Sequence, residues 1–143
     1  MQGISRAGTV TNGSVLELKF ISRAKKNTSS SPYAKFVANA LERWADGEGT
    51  ALDEIGVQFR GTEFQLKVLK AMRNVEFAST ASYQDLALLS GYPKAYRAVA
   101  NVCASNQIPL IIPCHRIIKS DGSLGNYYYG TDIKRKILAI ESH

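Results

Sequence analysis

The chain has 143 residues, 45% of them hydrophobic, with a formal net charge of +6 and a pI of about 9.4. That length suits one ordinary domain or two small ones, with enough apolar material for a real core. The positive balance suits an anionic partner, nucleic acid first. No apolar run approaches the ~18 residues that a membrane-spanning helix needs, and the first ten residues carry no signal-peptide pattern. The two cysteines, Cys103 and Cys114, and the two histidines, His115 and His143, show no zinc-ligand spacing. Neither a metal nor a cofactor is expected, and unpaired thiols fit a reducing compartment, the cytoplasm or a nucleus.

Residues 1–13 are rich in Gly, Ser and Thr and read as loose. Val15–Ile21 is β-prone and predicts a strand, paired as a hairpin with Thr9–Thr11. Ala24–Ser31 is polar and reads as a loop or local disorder. Ser31 as N-cap and Pro32 at the first position predict a helix whose apolar face is Phe36, Val37, Ala40, Leu41 and Trp44, closed by Gly47. Gly47–Asp53 reads as a linker and Ile55–Phe59 as a short strand. Thr62 and Gln65 form a capping-box pattern before a helix ending near Arg73, with Phe64, Val68, Leu69 and Met72 on one face.

Ser82 caps a short helix, Tyr83–Leu89, that stops at Gly91; Pro93 opens a second helix running to about Ala104. Two short helices around a tight glycine turn read as a helix-turn-helix or as a plain helical hairpin. At ~100° per residue, Ala95, Val99, Val102 and Cys103 fall together as a core face. Lys94, Arg97, Ala100, Asn101 and Ala104 fall opposite. Small residues around one arginine, Arg97, permit close backbone approach to a groove. Lys119–Gly122 is a turn and Gly125–Gly130 a glycine- and tyrosine-rich loop. The last helix starts at Thr131 or Asp132, with Ile133, Ile137 and Ile140 on its apolar face. Glu141 falls near the edge of that face, either solvated or paired with a cation such as His115.

The chemistry concentrates in Ile111–Ile118, the most apolar run of the chain, which holds Cys114, His115 and Arg116. A histidine can take the proton of a neighbouring thiol and leave a thiolate. A lone cysteine in such a run is ordinarily a small core residue, and adjacent side chains in a strand point apart, so spacing alone makes no catalytic pair.

Pro113-Cys114-His115-Arg116, preceded by Asn106 and Pro109 and followed by Gly125-Asn126-Tyr127, resembles the active-site signature of the O6-alkylguanine-DNA alkyltransferases. Gly61–Gln65, Ser82–Ala87 and Arg97–Val99 match the same family in the same order. The resemblance implies an α+β fold: a small strand and helix region, 1–58, then a winged-helix-like helix-turn-helix domain, 59–143, that carries the cysteine. It implies irreversible transfer of an alkyl group from guanine O6 in double-stranded DNA to Cys114, after the nucleotide is flipped out. By the same resemblance His115 is the base through a water, Glu141 orients it, Asn106 fixes the active-site turn, and Tyr83 donates to the guanine ring. Arg97 fills the vacated stack, with Lys94, Tyr96, Ala98, Ala100 and Asn101 around it in the minor groove. Ile117, Tyr127, Tyr128, Tyr129 and Gly130 line the base pocket, and Arg116 is a structural cation. A monomer with no membrane contact is expected.

The chain departs from the family pattern at Glu76 and Ala78, where Pro and Gly are usual, and at Tyr96, Tyr128 and Tyr129, where small residues are usual. Three rivals remain open: a non-enzymatic binder of alkylated DNA, in which the reactive cysteine is replaced; a regulator using the helix-turn-helix alone; and a cysteine hydrolase with a Cys-His-Glu triad.

Overall fold

A computed structural model describes the backbone of residues 4–11 and 14–22, and residues 32–142 in full. The fold is α+β. Strands β1 (Ile4–Thr11) and β2 (Ser14–Ser22) pair antiparallel, with a register shift between Thr9 and Val10. The expected hairpin is present, but its first strand is longer than the sequence suggests. Ladder hydrogen bonds outweigh the poor strand propensity of Gly8 and its small neighbours. The segment 24–31, expected to be a loop, lies outside the described residues, as does the N-cap Ser31.

Helix α1 (Pro32–Ala45) buries Val37, Ala40, Leu41 and Trp44 as expected, but Phe36 is 40% exposed and packs beside Tyr33. The expected linker instead contains a 3-10 helix, Ala51–Glu54, which seats Ala51 and Leu52 in the core. The strand expected at Ile55–Phe59 is not formed. Side chains satisfy this backbone in place of a ladder: Arg73 donates to the carbonyls of Leu52 and Ile55, and Gly56 N donates to Tyr33 Oη at 3.0 Å.

Helix α2 (Glu63–Arg73) begins with the complete capping box of Thr62 and Gln65. Strand β3 (Ala81–Ser82) leads directly into α3 (Tyr83–Leu89), whose N-cap is Ser82 with Asp85 as its reciprocal partner. Gly91, at φ +88°, ends α3 in a Schellman motif: Tyr92 N donates to Ala87 O and Gly91 N to Leu88 O. Helix α4 is Tyr96–Ala104, so Pro93 does not open it. Ala95 N donates to Tyr92 O, and Pro93 occupies the second position of that turn, where its fixed φ is equally suited. Val99, Val102 and Cys103 are buried as the helical plot requires.

After α4 the chain enters the core through Ile108–Ile112. A 3-10 turn, Cys114–Arg116, follows, then strand β4 (Ile117–Ile118). β4 runs parallel to β3, with Ala81 opposite Ile117 and Ser82 opposite Ile118. Helix α5 (Thr131–Glu141) closes the fold. One apolar cluster joins Trp44, Met72, Leu86, Val99, Ile112 and Ile137.

Ala78, where the resemblance implies glycine, holds φ at +63°. A Cβ in the left-handed region costs about 1–2 kcal/mol. Ala78→Gly is expected to raise the unfolding free energy by about 1 kcal/mol, seen as a higher urea midpoint at constant slope. An unchanged or lower midpoint would show that the loop relaxes without cost.

Candidate active site

The site is built where four elements converge. Asn106, just after α4, bridges its own loop: its Nδ2 donates to Ile112 O at 2.8 Å, and its Oδ1 accepts from Ile108 N at 3.0 Å. These bonds bend the chain so that the 3-10 turn presents Cys114 at the wall of a cavity of about 420 Å³. Leu110, inside the same bend, holds φ at +73° with its side chain buried.

Behind the cysteine lies a buried polar cluster. His115 is fully buried, and its Nε2 lies 3.0 Å from Glu141 Oε2. Arg116 grips the same carboxylate in a fork, Nε to Oε1 at 2.9 Å and Nη2 to Oε2 at 2.7 Å, while Nη1 donates to Val75 O at 2.7 Å. Trp44 Nε1 donates to Glu141 Oε2 at 3.0 Å. Glu141 is therefore not solvated; it is the paired alternative. Arg116 ties both a backbone carbonyl and a carboxylate.

Burial alone would raise the Glu141 carboxyl, but the hydrogen bonds from Arg116 and the contact with His115 outweigh it and bring it to about 2. Burial lowers the His115 imidazole against the opposing pull of Glu141. The ionised carboxylate only accepts, so the ring proton belongs on Nε2 and Nδ1 carries the lone pair. Neither ring nitrogen meets full hydrogen-bond geometry among the described protein atoms; Nε2 stands at ion-pair distance from Glu141, and Nδ1 has no such neighbour. Burial also raises the Cys114 thiol, opposed by the Asn106 side chain and then by the Lys134 charge. Cys103, expected in the core, is buried; burial, with Cys114 nearby, pushes its thiol up to about 12.

The cavity wall brings together Cys114, Tyr83, Asn106, Arg97, Ala100, Asn101, Tyr96 and the loop tyrosines Tyr127, Tyr128 and Tyr129. Burial raises the Tyr83 phenol to about 12, so it remains a proton donor across the neutral range. Gly125, at φ +72°, lies so close that a Cβ there would stand 3.2 Å from Tyr83 Oη. Arg97 is exposed on α4 at the cavity rim. Tyr96 is 41% exposed and takes the groove side instead of packing inward. Tyr128 is 79% exposed, at the rim, with its ring edge-on to Tyr129 at 4.9 Å. Lys94 and Ala98 are exposed and, with Ile117 and Gly130, stand outside the cavity wall. The Ile117 carbonyl accepts from Lys134 Nζ.

Two residues of the site escaped the sequence reading. Trp44 was assigned only to the core, and no local signal links it to a carboxylate 97 positions away. Lys134 was not singled out, although it shares the helix face of Ile137 and Glu141 at spacings of three and seven.

Residues 63–143 match the family model described as 6-O-methylguanine DNA methyltransferase, DNA binding domain. The chain is 34% identical over 125 residues to a probable methylated-DNA–protein-cysteine methyltransferase of Acanthamoeba polyphaga mimivirus, spanning 87% of this chain and 83% of that protein. It is 45% identical over 86 residues to the bifunctional transcriptional activator/DNA repair enzyme Ada of Escherichia coli, 60% of this chain but only 24% of Ada. Its fold matches the crystal structure of Mycobacterium tuberculosis OGT in complex with DNA, with a TM-score of 0.80 at 27% identity, covering 95% of this chain and 85% of that one. The geometry and these likenesses define a cysteine-centred member of a DNA-binding class. The chain belongs to the O6-methylguanine-DNA methyltransferase family.

Because the folded Glu141 carboxyl lies near 2, below its ordinary 4.5, its stabilisation is complete above about pH 4.5 and is lost as pH falls towards 2. Glu141→Gln is expected to unfold about 3 kcal/mol more easily at neutral pH, with a flatter loss of stability across that acid window. Urea denaturation as a function of pH checks both. A variant with the wild-type acid slope would assign the titration to other carboxyls.

Proposed function

We propose that this chain repairs O6-alkylguanine in double-stranded DNA by direct, single-use transfer of the alkyl group to Cys114. The observation that carries this reading is one arrangement. Cys114 opens onto the cavity, the buried His115–Glu141–Arg116 cluster stands behind it, and α4 with Arg97 forms the cavity rim.

The sulfur cannot reach O6 inside a stacked duplex, so the nucleotide rotates out at a cost of a few kcal/mol. Arg97 fills the gap it leaves. Ala98, Ala100 and Asn101 let α4 approach the minor groove closely, with Lys94 and Tyr96 beside it. Contacts of this kind are mostly to phosphate and sugar, and so tolerate any sequence. The Cys114 proton passes through a water to His115 Nδ1, and Glu141 holds the imidazolium. The thiolate attacks the alkyl carbon. The S–C bond forms, the C–O6 bond breaks, and its electron pair stays on the guanine. Tyr83 donates to the guanine ring and makes the base a better leaving group. Asn106 keeps the turn in place, and the loop from Tyr127 through Tyr128, Tyr129 and Gly130, with Ile117, frames the base.

The division of labour falls near residue 58. Residues 1–58 brace the site through Trp44, and residues 59–143 bind DNA and carry the reaction. The protein acts as a monomer in a reducing compartment with its DNA. Among the described residues no helix is long and apolar enough to cross a membrane. A non-enzymatic lesion binder would lack the reactive thiol, and Cys114 is present.

Intact-protein mass after incubation with a duplex containing O6-methylguanine is expected to rise once, by one methylene, on the peptide holding Cys114. Cys114→Ser should bind the same duplex and gain nothing. Binding without any gain in the unmutated protein would turn the reading to lesion recognition. Arg97→Ala is expected to slow capture of the lesion in duplex DNA roughly tenfold, about 1.4 kcal/mol, while leaving reaction with the free alkylated base unchanged. Equal losses on both substrates would remove the wedge role.

A further inference from the structure

Lys134 is fully buried in α5, among side chains that are otherwise apolar or already paired. Its Nζ donates to Ile117 O at 2.6 Å and to Leu124 O at 2.5 Å. Among the described residues no carboxylate lies at ion-pair distance from it. Glu141, the buried acid of the same helix, is engaged by Arg116 and His115. Asp132, two residues earlier, is exposed and pairs with Arg135, and Asp121 is turned to Ser123. Lys136 points to solvent.

A buried ammonium with two carbonyl dipoles and no counter-charge is costly to hold. The titratable groups that face it come from three other elements. Tyr83 of α3 presents its ring at 6.0 Å. Cys103 of α4 and Cys114 of the 3-10 turn are the thiols within electrostatic reach of it, Cys114 the stronger. His115 feels its charge as a repulsion.

We propose that Lys134 is the counter-charge of the Cys114 thiolate, and that it also ties the start of the pocket loop to the strand that follows the cysteine. The inference rests on the functional reading only in taking Cys114 as the nucleophile. In the resting protein the thiol is neutral and the ammonium is unmatched. When the proton moves to His115, the imidazolium is covered by Glu141 and the thiolate by Lys134. Each half of the new ion pair then has its own buried partner. Lys134 touches no substrate in this account; it is a positioning residue that acts through Cys114. Burial opposes either charge alone, whereas the attraction between thiolate and ammonium favours both together, and that attraction links their titrations.

The test is the rate of Cys114 alkylation by iodoacetamide as a function of pH, with Cys103 counted separately by peptide mass. No DNA is involved, so the result stands whether or not methyl transfer from DNA is observed. Lys134→Met should move the midpoint of the pH–rate curve up by about one unit, making the reaction about tenfold slower at neutral pH. The rates should converge at high pH. Lys134→Arg should restore most of the shift. An unchanged midpoint, or an equal loss at every pH, would overturn the proposal and leave a purely structural lysine. Should the methionine variant fail to fold, the unmutated protein labelled at lysine side chains answers the question. The Lys134 resonance should shift through the Cys114 midpoint and stay fixed in Cys114→Ser. A resonance that ignores Cys114 ionisation would equally overturn it.

Discussion

A carboxylate removed from water persists only where donors replace that water, and Glu141 has four donor contacts from three side chains. Its two oxygens take the Arg116 fork, the Trp44 indole and the approach of His115 Nε2. This single group favours the imidazole tautomer with its proton on Nε2 and locks the 3-10 turn to the end of α5. It also reaches back to α1. Arg116 extends the same network to Val75 O, and so to the segment that precedes β3. Breaking such a pair leaves an unmatched buried charge, which is why the cluster behaves as a unit and not as a sum of bonds. The cysteine turn depends on it without touching it, because His115 and Arg116, the next two residues, are both held by this carboxylate.

Much of this was legible in the sequence where the signal is local. The Thr62–Gln65 and Ser82–Asp85 boxes satisfy helix donors within four residues, and both helices begin where those patterns put them. The Cys114 segment and Asn106 stood out because reactive polar residues in an apolar run need a reason. Legibility failed where distant partners decide. Nothing near Ile55 tells the chain that Arg73 will take its carbonyl, so a β-prone run became irregular coil. Pro93 suits either a helix start or a turn, and the Schellman ending at Tyr92 selected the turn. The face of Glu141 was readable, but whether it met water or a cation was not. The same limit hid Trp44.

The departures from the family pattern now have places. Ala78 puts a side chain where glycine is usual and bears a left-handed backbone for it. The three unusual tyrosines divide by depth. Tyr129 is half-buried, whereas Tyr128 and Tyr96 are exposed at the cavity rim, where they offer aromatic faces to whatever enters. They change the mouth of the cavity more than the environment of the sulfur, where burial dominates and the Asn106 side chain opposes it.

The two-residue ladder between β3 and β4 has a kinematic meaning. Ser82 is at once the cap of α3 and the partner of Ile118, four residues after Cys114. The start of α3 and the segment that carries the sulfur are therefore joined by backbone pairing, so a displacement of one is passed to the other along the main chain and not through side chains alone.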